Sequence, residues 1–150
     1  MRTHTSGFTL LELLIVIGLF TLLTLFSASA LGQARDNLAL SNDVREITAA
    51  LRLAQNNAVV SLHGQPHGLY FKNDSYVVFS GSWSAPFAAK EYHLRPGVNF
   101  YNSGDQQIIF ERLTGNTSAL STTDTIFIGR EINDKKEITV DTLGNIFIKD

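Results

Sequence analysis

The 150-residue chain contains no cysteine. That excludes disulfides, thiolate metal sites and a cysteine nucleophile together. It assigns no compartment, because an exported domain can manage without disulfides. Proline is scarce, with three residues of which Pro66 is the first, so nothing before it forbids continuous helix. An excess of one charge is also missing. Twelve basic residues stand against fourteen acidic ones, a net charge of −2, and no global field draws the chain to nucleic acid. Arg2 and Glu12 are the only charged residues before Gly32, and removing both leaves that balance unchanged. The chain has no P-loop, no dinucleotide fingerprint and no G-x-S-x-G elbow. Asp134, Asp141 and Asp150 are too scattered for a calcium loop. There is no internal repeat and no low-complexity linker.

What is present is a long apolar run with one acid in it. Phe8 to Leu31 is a stretch of 24 residues in which Glu12 is the only charge. As a helix it measures about 36 Å, against about 30 Å for the hydrocarbon core of a bilayer, so it is expected to span a membrane. A carboxylate in such a segment costs on the order of 2.5 kcal/mol or more near the bilayer centre and calls for a partner. Arg2 and the starting amine precede the run, and the next basic residue is Arg35. The positive-inside rule therefore places the N-terminus in the cytoplasm and the bulk of the chain outside.

The N-terminus can be read three ways. Leu13 to Phe26 makes an acceptable h-region, and Ala28-Ser29-Ala30 is an A-x-A-like site. On that reading a signal peptidase releases an exported soluble or lipid-tethered binding domain after Ala30. Against it stand a single basic residue in the n-region and Glu12 at the mouth of the apolar core. An uncleaved single-span anchor is the second reading, and it leaves Glu12 unexplained. The third comes from likeness. Gly7 followed by FTLLELLIVIGLF resembles the N-terminus of type IV prepilins and type II secretion pseudopilins.

The resemblance implies a cut by a membrane prepilin peptidase between Gly7 and Phe8, followed by methylation of the new N-terminus at Phe8. Residues 1–7 are then a short leader and residues 8–31 a transmembrane assembly helix. The family has a glutamate at the fifth residue after the cut, and Glu12 holds that place. The residue types suit the roles. Gly7 lets backbone approach a protease closely. A carboxylate near a helix start is favoured by the helix dipole. In a filament, Glu12 could meet the Phe8 amine of a neighbouring subunit, neutralising two charges that are each costly in lipid. Many major pilins carry a proline inside this helix. None lies between Phe8 and Leu31 here, which implies a straighter anchor.

From Asn37 to Leu62 apolar residues recur at helical spacing: Leu40, Val44, Ile47, Leu51, Ala54, Ala58 and Leu62. Asp43, Arg45, Glu46 and Arg52 fall off that stripe. The stripe could be a coiled-coil seam, but it is short, and the strands that follow need a cover. One long helix to about residue 63 is therefore expected, ended by His63-Gly64-Gln65-Pro66-His67-Gly68. Short strands follow at Leu69–Lys72, Tyr76–Phe79, Glu91–Leu94, Val98–Tyr101, Gln107–Phe110, Thr125–Ile128, Glu137–Val140 and Asn145–Ile148, with Asn73-Asp74-Ser75 and Leu143-Gly144-Asn145 as turns. Gly81 to Phe87 and Thr114 to Asp124 read as loops. The fold class is α+β, a long N-terminal helix packed on antiparallel sheets, with residues 32–150 forming the extracytoplasmic domain. The string ALRLAQNNAVVSLHGQP, then LYF, YVVF and IIF, with a closing ITVDTLGNIFI, is similar to the H-type minor pseudopilins and FimT-like minor pilins (the GspH/FimT class). That class has a long helix and two small antiparallel sheets.

Other candidate groups point to structure rather than chemistry. His63 and His67 are four apart, but Gly64 and Pro66 intervene and no acid completes a metal set. His93 reads as a strand residue. Trp83, with Pro86 and Phe87, could contact a partner, though the expectation is that it tucks under its own loop. Some FimT-like minor pilins bind DNA through a basic C-terminal region. Here Lys149 is followed by Asp150, and Arg130, Lys135 and Lys136 are interleaved with Glu131, Asp134 and Glu137, so weak nucleic-acid binding at best is expected. The expectation is a structural subunit, not an enzyme, with no cofactor and no metal. Its expected partners are the prepilin peptidase, other pilins or pseudopilins and the inner membrane.

Overall fold

A computed structural model describes residues 8–101, 106–118, 123–131 and 134–149. The side chains of residues 26–31, 33, 34, 36 and 123 lie outside that description. Helix α1 runs Leu10–Val59. It is followed by β1 His67–Phe71, β2 Ser75–Ser82, β3 Ala85–His93, β4 Asn99–Tyr101, β5 Gln107–Phe110, β6 Thr123–Glu131, β7 Asp134–Asp141 and β8 Ile146–Lys149. The chain divides into two compact units, one ending at Leu38 and the other beginning at Ala39.

In the second unit two four-stranded antiparallel sheets cover the helix. Their strand orders are β3-β2-β1-β5 and β4-β6-β7-β8. The apolar stripe supplies the helical face. Leu40, Val44, Ile47, Leu51, Ala54 and Ala58 are all buried, and they share one core with Leu69, Phe71, Ile108 and Phe110 of the first sheet. Phe100, Ile126, Ile128, Ile138 and Val140 of the second sheet join the same core. The stripe thus faces sheet rather than a second helix. Alternation along the strands explains why: Ile126, Ile128, Ile138 and Val140 point inward at period two, and Ile126 stands opposite Ile138 in the ladder. Gly68 is needed where β1 is sandwiched, because a Cβ there would lie 2.9 Å from the Phe79 ring and 3.2 Å from Ile109 Cα.

Four local expectations are corrected. The helix ends at Val59 rather than near residue 63, and Leu62 lies beyond the buried stripe, 40% exposed. Ser61 (φ 53) and His63 (φ 55) are left-handed, which breaks the ladder before Gly64. Asp43, off the stripe by sequence, is only 2% exposed. Gly81 to Phe87 is not a loop but the tip of the β2–β3 hairpin. Gly81, at φ 89, takes up a register shift beside Ser80, and Pro86 sits on an edge strand where its missing N–H removes no ladder bond. Of the expected loop Thr114 to Asp124, Thr117 bridges to Phe110, Thr123 already begins β6, and residues 119–122 lie outside the described residues.

Candidate functional site

The first turn of α1 is built by Thr9. Its Oγ1 accepts the Glu12 N–H at 3.2 Å, and its carbonyl accepts the Leu13 N–H at 3.2 Å. Thr9 is therefore the cap residue and Glu12 the third helical position, the spacing of a capping box. The Glu12 carboxylate lies where unpaired N–H groups and the helix dipole favour an anion. Phe8 directly precedes the cap and is 81% exposed. The structure thus brings Phe8 and Glu12 together at one helix end. Gly7 and the rest of the expected leader, residues 1–7, lie outside the described residues. Sequence reading passed over Thr9, although the pattern Thr9-Leu10-Leu11-Glu12 carries the signal.

Beyond that turn the helix is apolar on every side. Leu10, Leu11, Leu13, Leu14, Ile15, Val16, Ile17, Leu19, Phe20, Leu22, Leu23 and Leu25 are all exposed. A helix that is hydrophobic all round belongs in lipid or among other helices. The hydroxyls of Thr21 and Thr24 are satisfied internally: Thr21 Oγ1 donates to the Gly18 carbonyl and Thr24 Oγ1 to the Thr21 carbonyl, each at 2.8 Å. Among the described residues no helix is long and apolar enough to cross a membrane. The described side chains of the run stop at Leu25, and the remainder of the expected span, residues 26–31, lies outside them.

The other candidates are placed in the second unit. His63 faces the Phe87 ring at 5.5 Å, whereas His67 is buried with Nε2 3.2 Å from the Leu62 carbonyl. Among the described residues no three metal-ligating side chains cluster. His93 ends the exposed strand β3. Trp83 stacks on Tyr70 of β1 with ring centroids 4.0 Å apart and leans on Phe79 of β2 at 5.4 Å, so it packs on the first sheet. Asp141 is a turn residue: Oδ1 accepts the Leu143 and Asn145 N–H groups at 2.9 and 2.8 Å, and Oδ2 accepts the Asn145 side-chain amide at 2.8 Å. These bonds, the Asn145 side chain first, hold its carboxyl below the usual range. Lys135 of the basic cluster lies over the Phe127 ring at 5.1 Å.

Two polar ties escaped the sequence reading. Arg95 bonds the buried Asp43 carboxylate and, at 2.6 Å, Glu46. Gln55 Nε2 donates to the carbonyls of Gly115 (3.3 Å) and Gly144 (2.9 Å).

Residues 2–28 match the prokaryotic N-terminal methylation motif. The fold has a likeness as well: the minor pseudopilin EpsH from the type 2 secretion system of Vibrio cholerae superposes with a TM-score of 0.52. The match covers 73% of this chain and 95% of that one at 14% identity, a likeness of architecture. No curated protein matches the chain. The methylation motif reaches over the first part of α1, and the likeness to EpsH is one of fold alone. Neither comparison supports release after Ala30.

Proposed function

We propose that the chain is the precursor of a minor pilin or pseudopilin, a structural subunit and not an enzyme. Prepilin peptidase cuts it between Gly7 and Phe8, and Phe8 is then N-methylated. Residues 8–31 cross the cytoplasmic membrane once, with the N-terminus inside and residues 32–150 outside. The observation that carries this reading is a methylation motif laid over a helix start that exposes apolar side chains on every face and holds a single carboxylate in its first turn.

The chemistry is that of paired charges. Cleavage creates an amine at Phe8, one turn from Glu12. Each charge alone opposes burial in lipid, and a neighbour that brings the opposite charge removes both costs. The subunit is then at ease in the apolar layer only beside another subunit, which gives assembly its register. Mass spectrometry of the mature N-terminus tests processing. A methylated Phe8 is expected; a chain beginning at Leu31, or one still carrying Met1 to Gly7, overturns the reading.

A further inference from the structure

Two surface furrows adjoin on the second unit and share Arg52. One wall is the outward face of α1 with Arg45, Arg52 and Leu53; the other is β8 and the turn before it, with Asn145, Phe147 and Ile148. β8 is the edge of its sheet. It pairs with β7 on one side, and among the described residues nothing pairs with the other. Phe147 is 56% and Ile148 48% exposed. An edge strand offers unpaired N–H and C=O groups to any extended chain laid beside it. Arg45 and Arg52 are exposed and form no ion pair among the described residues, whereas Arg95 of the same unit is bonded to two acids.

We infer that this furrow docks an extended acidic segment of another polypeptide, which adds a strand to β8 and pairs its carboxylates with Arg45 and Arg52. Main-chain bonds to the edge provide the affinity, and alternate side chains provide the selection. Phe147, Ile148 and Leu53 take the apolar residues of the segment. The arginines stand two helical turns apart, about 10.5 Å along the axis. Carboxylates on one face of a strand recur every ~6.8 Å, within reach of two long side chains. Charge sets the occupant: an uncompensated pair of guanidinium groups excludes a basic strand and prefers carboxylates in bidentate geometry. A nucleic acid is the weaker fit, because two cations set among apolar side chains neutralise few phosphates. The inference goes beyond the assembly reading, which uses only the first turns of α1.

The test places p-benzoylphenylalanine at Ile148 in the full chain, in the cells that produce it, and sequences the cross-linked product. A peptide adduct is expected whose attached segment carries Asp or Glu at alternating positions. Its yield should fall at least tenfold in Arg45→Glu/Arg52→Glu and persist in Arg45→Lys/Arg52→Lys, with an unchanged melting temperature as the folding control. A lipid or nucleic-acid adduct, an attached segment without acids, a yield indifferent to charge reversal, or no adduct at all overturns the inference. The N-terminal mass of the same sample reports Phe8 processing separately, so failure of one reading is distinguishable from failure of the other.

Discussion

Arg95 holds the buried Asp43 carboxylate twice, through its guanidinium and through its own backbone N–H at 3.1 Å. The guanidinium also reaches Glu46 one turn along the helix, at 2.6 Å. Both acids raise the affinity of Arg95 for its proton, the Glu46 hydrogen bond first. A loop residue thereby fixes the stretch between β3 and β4 to α1, across 52 positions of sequence.

Removing the carboxylate should therefore release that loop. Asp43→Ala is expected to destabilise the second unit by about 2 kcal/mol, the scale of a lost hydrogen bond to a charged group. Asp43→Asn should cost less, because it can still accept the Arg95 N–H. Chemical denaturation of the variants checks the order. Equal stability of Asp43→Ala and the parent would mean that the clamp contributes nothing.

Gln55 does a similar job at the other end of the buried helical face. Truncating it leaves the Gly115 and Gly144 carbonyls without their amide, so Gln55→Ala should cost about 1–2 kcal/mol and lower the melting temperature by several degrees. Gly144→Ala should cost more. Its φ of 81 disfavours any side chain, and a Cβ would crowd the Gln55 amide and the Gly115 carbonyl. Thermal melts of the two variants test this ranking.

Stability should fall at both extremes of pH. Tyr76 is pushed up to about 12 by burial, with the charges of Glu46, Tyr92 and Asp43 adding to it and Arg95 opposing. The folded protein keeps that proton where the unfolded chain, with an ordinary value near 10, has lost it. Stability is thus complete below pH about 10 and declines as pH rises toward 12. Tyr76→Phe should flatten this alkaline arm. Asp141 works in the opposite sense. Its folded value is depressed, so its contribution is present above the ordinary range near 4 and is lost as pH falls below it. Asp141→Asn should flatten the acid arm. Denaturant midpoints measured across pH for parent and variants decide both.

At the helix start, Glu12→Ala should leave Phe8 processing and the second unit intact while reducing co-purification with neighbouring pilins at least tenfold. Glu12→Asp should retain part of it, since the charge survives on a shorter arm. Normal co-purification of Glu12→Ala would remove the charge pair from the assembly mechanism.

How far the sequence was legible depends on the range of each interaction. The stripe Leu40 to Ala58 and the strands were readable because a period of 3.6 or 2 is a local property that one buried face enforces. The methylation motif that spans Gly7, Phe8 and Glu12 was readable because it is one contiguous stretch. Asp43 was not, since an acid beside an apolar stripe looks solvated until its partner, in a distant loop, is known. The β2–β3 tip was misread because glycine and proline mark loops on average, whereas Gly81 serves a register shift and Pro86 an edge. Gln55 gave no signal, as its partners are main-chain carbonyls of two separate turns.

The stacking of Trp83 on Tyr70 has a practical consequence. The chain has one tryptophan, so its ultraviolet emission reports a single address, the end of the β2–β3 hairpin. A partner that lands there shifts the spectrum, and one confined to the β8 rim leaves it silent. The molecule carries its own optical label for telling one landing place from the other.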